Sequence, residues 1–167
     1  MTDGNRVRPG EYRNITVPEE LEGDARDRFI VSRIMEGSTS TALESEIRER
    51  AEGMLEQFDI RLSQQGLSLD GYYHQRNTGP SELISEFMKH AERQIKERKI
   101  LLRIAEFEGT LADEDDYMLY LQNMEKVYPL PKEKVQNILG TRKKDIMDEI
   151  TFRKTIDYII AHYCRIV

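Results

Sequence analysis

The run from Pro80 to Gly109, PSELISEFMKHAERQIKERKILLRIAEFEG, constrains the fold more than any other stretch of the chain. Ile84, Met88, Ala91, Ile95, Leu102 and Ala105 recur at steps of three, four and seven, which is one face of an α-helix. Phe87, Leu101 and Ile104 widen that stripe, so the helix must pack on more than one neighbour. Pro80 suits a first helical turn, where its missing N–H costs nothing, with Gly79 or Thr78 as the cap; Gly109 reads as the stop. At 1.5 Å per residue the helix spans roughly 40 Å. That exceeds the width of a compact domain of this size. A spine with other helices laid along it is predicted.

The rest of the 167 residues read as further helices. Residues 1–10 are polar, rich in Gly, Arg and Pro, and predicted to be a flexible tail; 11–167 form one helical domain. Glu11–Val17 is predicted to be an extended arm lying on a helix, because no second strand is evident for it to pair with. Pro18–Leu21 suits a helical turn. A helix capped by Asp24 runs to Met35, with Phe29, Ile30, Ile34 and Met35 inward and Gly37 ending it. The next helix starts at Thr41, with Glu44 completing a capping box. Its stripe is Leu43, Ile47, Ala51, Met54, Leu55, Phe58 and Leu62, and Gly66 stops it. Gly53 inside it points to close helix contact or a slight bend, since Gly costs about 1 kcal/mol against Ala in a helix.

Leu67–Asn77 reads as a turn and a short helix at the tip of an antiparallel hairpin. Beyond Gly109 a helix from Glu114 to about Tyr128 carries Tyr117, Met118, Leu121, Met124 and Tyr128 on its apolar side, before Pro129 and Pro131 break it. Lys132–Leu139 is a short helix. The last helix runs from about Thr141 to the end. The fold class is all-α: an elongated multi-helix domain with two helical-hairpin arms on a shared spine.

Charged residues make up 34% of the chain, against about 25% in ordinary domains, which implies wide solvated helix faces. The regular apolar stripes argue against disorder. A net charge of −6 offers no basic footprint for nucleic acid. The clusters Lys96–Lys99 and Arg142–Lys144 have acids nearby and read as solvated faces. Cys164 is the only cysteine, so no intramolecular disulfide can form, and a small core filler is its predicted role. No apolar run approaches the roughly 18 residues of a membrane span, and MTDGNRVRPG has no apolar signal region, so a cytoplasmic location is expected.

No catalytic constellation emerges. His74, His90 and His162 lack a second ligand at metal spacing. The acids Asp113–Asp116 sit where a helix start wants negative charge. There is no phosphate loop and no dinucleotide fingerprint. Neither enzyme activity, metal nor cofactor is expected. The apolar inventory is the informative part: seven Met, eight Tyr, five Phe and no Trp. Met adapts to many shapes, and Tyr supplies apolar area with a polar tip. Either they fill a core or, as a set, they form a binding surface.

From Thr41 onward the residues carry a resemblance. Leu43-Glu-Ser-Glu-Ile47, Arg61–Tyr73, Ala91–Ile95 with Ile104–Gly109, Ala112–Asp115 and Arg153–Tyr158 are similar, in order and spacing, to the C-terminal domain of bacterial trigger factor, a ribosome-associated folding chaperone. Gly10–Val17 and Ala25–Gly37 resemble the segments that flank that family's isomerase insertion, and here they are nearly adjacent. The ribosome-docking Gly-Phe-Arg-x-Gly type loop does not occur, and there is no room for an isomerase domain. The resemblance implies a chaperone domain, similar to the peptide-binding domain of another chaperone, SurA, that holds unfolded or nascent polypeptides in an apolar cradle between its arms. It would have no isomerase activity of its own and no nucleic-acid or membrane partner. The client-binding candidates are Met54, Phe58, Tyr72, Tyr73, Met118, Tyr120, Met124 and Tyr128, the aromatic and Met side chains farthest from the spine. The alternative is a helical scaffold that pairs with one specific protein or with itself as a homodimer.

Overall fold

A computed structural model of the chain describes residues 7–127 and 131–167. It is all-α in class, with one small two-stranded sheet among the described residues. In chain order the elements are β1 (Ile15–Val17), α1 (Gly23–Glu36), α2 (Glu44–Gln64), α3 (Leu69–Arg76), α4 (Pro80–Glu108), α5 (Glu114–Val127), α6 (Lys132–Gly140), α7 (Lys143–Tyr163) and β2 (Cys164–Ile166). The fold divides into two compact units. One is Ser40–Lys99; the other joins Val7–Thr39 to Ile100–Val167. The division falls inside α4, the helix predicted as the spine.

In the Ser40–Lys99 unit, α2 begins at Glu44 rather than Thr41. The reason is Glu46, whose carboxylate accepts the Leu43 N–H at 2.8 Å and the Lys99 ammonium at 2.8 Å. Lys99 also donates to the Thr41 carbonyl at 3.0 Å, so the residues before α2 are held as a loop. Gly66, at φ +73°, closes α2, and Leu67 N–H reaches back to Leu62 C=O at 2.9 Å. Ser68 caps α3 by accepting the Gly71 N–H at 3.1 Å. α2 and α4 meet through side chains: Arg50 donates twice to Gln94 at 3.1 Å, and Phe58 meets Phe87. Gly53 does not mediate close contact, because a Cβ built there meets nothing within 4 Å.

The other unit holds the main core: Tyr12, Ile15, Val17, Ile30, Ile34, Ile100, Ile104 and Ile159. A second cluster, Tyr117, Leu121 and Ile146, joins α5 to α7. The N-terminal arm does not simply lie on a helix. Ile15–Val17 pair in parallel with Cys164–Ile166, so the last helix ends at Tyr163. Three residues are too few to show a strand period, and their partner lies at the far end of the chain. Cys164 is half-buried against the main core. Val7–Gly10 is tied to the end of α1. Arg8 and Thr39 exchange backbone hydrogen bonds at 2.8 Å, and Gly10 N–H donates to Ser38 Oγ at 2.8 Å. A side chain at Gly10 would have its Cβ 2.6 Å from Ile34 O and 2.8 Å from Gly37 C, both backbone atoms.

Glu108, the last residue of α4, gathers three elements. Its side chain is 6% exposed. It accepts the Tyr12 hydroxyl at 2.7 Å, the Tyr163 hydroxyl at 3.0 Å and the Arg13 guanidinium at 2.8 Å. Burial alone would push its carboxyl up, but the three donors and the Arg13 charge outweigh that and hold it below the usual carboxylate range. Burial and the bond to Glu108 push Tyr12 up to about 12. Nearby, Thr110 and Thr155 hydroxyls bond at 2.7 Å, and Ala112 N–H donates to Thr151 Oγ1 at 2.9 Å, fixing the turn between α4 and α5 against α7.

Two glycines should respond oppositely to alanine. Gly53→Ala relieves helix-propensity cost with no clash and should stabilise by about 0.5–1 kcal/mol, read as a higher denaturant midpoint. Gly10→Ala forces backbone apart and should destabilise by about 1–3 kcal/mol.

Glu108→Gln should lower stability at neutral pH, read as a lower urea midpoint, because it removes the charge that accepts from Tyr12, Tyr163 and Arg13. A depressed folded pKa stabilises above the unfolded value, about 4.3, and that stabilisation fades as pH falls through the folded value. The gap between wild type and Glu108→Gln in urea unfolding should therefore narrow below about pH 4. A gap of constant size at pH 7 and pH 3 would remove the carboxylate from this role.

Candidate functional site

The side chains singled out for polypeptide binding fall into two groups, one on each unit. Met54, Phe58, Tyr72 and Tyr73 belong to the Ser40–Lys99 unit, and all four are half-buried. The Phe58 ring meets Tyr72 edge-on at 5.0 Å and Phe87 at 5.8 Å, and Tyr72 meets Tyr73 at 6.3 Å. The Arg76 guanidinium lies 5.9 Å from the Tyr72 ring centroid. The caps at Ser68 and Asn77 set α3 in place, and α3 carries both tyrosines over Phe58. These rings therefore cover one another in part. The area left open is that of a rim of aromatic edges.

Met118, Tyr120 and Met124 sit on α5 in the other unit. Tyr120 packs against the Tyr117, Leu121 and Ile146 cluster. Met124 is half-buried, whereas Met118 is 41% exposed and stands outside that cluster. Tyr128 lies outside the described residues. α5 itself is anchored at its start by a reciprocal cap. Asp113 Oδ1 accepts the Asp116 N–H, and Asp116 Oδ2 accepts the Asp113 N–H, both at 3.0 Å. The ion pairs Lys154–Asp116 at 2.5 Å and Lys143–Glu114 at 2.7 Å bind the same turn to α7. The acid run thus caps and pairs, and hydrogen bonding to Lys154 and the Asp113 N–H holds the Asp116 carboxyl below its ordinary range. Among the described residues no three His, Cys, Asp or Glu side chains gather as a metal site.

Several exposed apolar residues were outside the predicted set. Leu119 is 57% exposed beside Met118, and Leu111 is exposed in the turn before α5. On the first unit Ile60 is 51% and Leu67 48% exposed. Helix phase could have found two of them. Ile60 is two residues from buried Leu62, and Leu119 two from buried Tyr117 and Leu121, so each points well away from its core face. Charged and amide side chains surround them: Glu56, Gln57, Asp59 and Arg61 on α2, and Asp115 and Gln122 on α5 are all exposed. Small apolar islands in polar surroundings suit non-directional contact with an apolar segment while limiting self-association. No helix of the described residues is long and apolar enough to cross a membrane.

Comparison with known proteins gives these features a family context. The chain is 28% identical over 143 residues to the trigger factor of Geobacillus sp. (strain WCH70), covering 86% of this chain and 33% of that protein. To the trigger factor of Anoxybacillus flavithermus it is 28% identical over 144 residues, with 86% and 33% covered. To that of Clostridioides difficile it is 26% identical over 152 residues, with 86% and 36% covered. The chain thus spans about a third of the length of the curated relatives it matches. No solved structure matches significantly. The family model described as the bacterial trigger factor protein (TF) C-terminus matches residues 24–161, from the first turn of α1 nearly to the end of α7, and the chain belongs to that family.

Proposed function

We propose that this chain is a chaperone module that binds unfolded or nascent polypeptides through exposed apolar side chains, works in the bacterial cytoplasm and has no isomerase activity of its own. The observation that carries the reading is the apolar side chains left exposed outside the cores: Ile60, Leu67 and the edges of the Phe58–Tyr72–Tyr73 rim on one unit, and Met118 and Leu119 on the other. Such side chains cost solvation in the free protein and gain it back against an apolar segment of a client. Apolar transfer is worth about 25 cal/mol per Å², and much of that is offset by ordering a flexible chain. Weak binding at each island and fast exchange follow, which suits a protein that must release what it holds.

The reading predicts that the chain suppresses aggregation of two unrelated denatured proteins. It predicts no acceleration of cis-to-trans conversion in a proline test peptide. In the variant Ile60→Ser/Met118→Ser/Leu119→Ser, exposed side chains are removed without touching either core. Each replacement should shift stability by no more than about 0.5 kcal/mol, so circular dichroism and melting should barely change while capture weakens several-fold. Unchanged capture by the folded variant would place the binding surface elsewhere. Binding of a single partner at fixed stoichiometry, with no effect on denatured proteins, would favour the scaffold instead.

A further inference from the structure

We propose that Met118 is a reversible redox control point of the apolar island on α5. The inference rests on the client-binding reading for its consequence, but the reactivity of Met118 stands on the structure alone. Met35, Met54, Met88, Met124 and Met147 are each half-buried, whereas Met118 is exposed, so its thioether is the most open to small oxidants among the described methionines. It belongs neither to the Tyr117, Leu121 and Ile146 cluster nor to the half-buried side chains packed on it, so a polar atom added there stays outside that core. Its neighbour Leu119 is more exposed still, and the two are consecutive exposed apolar residues of α5.

The chemistry is a two-electron oxygen transfer. A peroxide gives one oxygen to the Met118 sulfur, the O–O bond breaks, and the peroxide is reduced to water while the thioether becomes a sulfoxide. The S=O dipole then sits beside Leu119 in a patch that attracts a client by apolar contact, and it must be desolvated on binding. The fold is untouched, and methionine sulfoxide reductases with a thiol reductant restore the thioether, two thiols being oxidised to a disulfide as the oxygen leaves as water. Cys164, the other oxidisable sulfur of interest, is half-buried, and burial pushes its thiol up, which disfavours the reactive thiolate.

The test treats the full chain with graded hydrogen peroxide, maps sulfoxide at each Met by peptide mass spectrometry, and measures capture of a denatured protein before and after. Met118 should oxidise faster than every half-buried Met, with unchanged circular dichroism. Capture should fall several-fold as Met118 sulfoxide accumulates and return after treatment with methionine sulfoxide reductases. For Met118→Leu, the ratio of capture by treated to untreated protein should stay near one. Oxidation of Met54 or Met124 before Met118 would overturn the reactivity claim. Capture that survives complete Met118 oxidation would overturn the switch alone. Failure of untreated protein to capture anything would overturn the client reading, and with it the use of the switch, whatever the mass map shows.

Discussion

The unit that joins the two ends of the chain depends on one buried carboxylate. Glu108 closes α4, and its oxygens take hydroxyl protons from Tyr12 and Tyr163 and the guanidinium of Arg13. A buried carboxylate is costly unless several donors meet it at once, and here the donors come from both ends of the sequence. The arrangement therefore aligns the first strand, the end of the long helix and the last helix together. The parallel pairing of β1 with β2 and the main core of Tyr12, Ile15, Val17, Ile100, Ile104 and Ile159 follow from the same alignment. Arg13 also sits over the Tyr12 and Tyr163 rings, at 5.3 Å and 5.8 Å, which screens the ion pair from water on one side.

Short-range capping does comparable work elsewhere. Glu46, Ser68 and the Asp113–Asp116 pair each meet backbone N–H groups that a helix start leaves unsatisfied. Lys99 and Lys154 then tie two of those caps to neighbouring helices. Helix starts are thus held by polar groups, and apolar side chains are not all needed for folding. Those left over, Met118, Leu119, Ile60 and Leu67, remain available at the surface. A high charged fraction supports this economy, since long helices with few neighbours need solvated faces.

The helices were legible because their signal is local. The 3.6-residue stripe from Ile84 to Ala105, Pro80 at the start and Gly109 at φ +68° at the end are all properties of neighbouring residues, and α4 occupies that span. The same holds for α1, α5 and α6, where stripe and breakers agree. The start of α2 was misread: Thr41 and Glu44 have capping-box spacing, but the helix begins at Glu44, where Glu46 takes the Leu43 N–H and the added bond from Lys99. The aromatic cluster at Phe58, Tyr72 and Tyr73 was visible as a list of residues, but its mutual edge-on packing was not.

Composition and periodicity determined an all-α chain and, for α1, α4 and α6, the places where the helices begin and end to within a turn. Family order and spacing supplied the functional context. Tertiary structure alone decided that Ile15–Val17 pairs with Cys164–Ile166, that Glu108 is the shared acceptor, that Gly10 rather than Gly53 is the close approach, and that Tyr120 packs on the second cluster while Met118 stays exposed. The physical reason is range. Caps and stripes are written within a few residues, whereas strand pairing, a shared carboxylate and the covering of one side chain by another join residues far apart in the chain, and no local pattern encodes them.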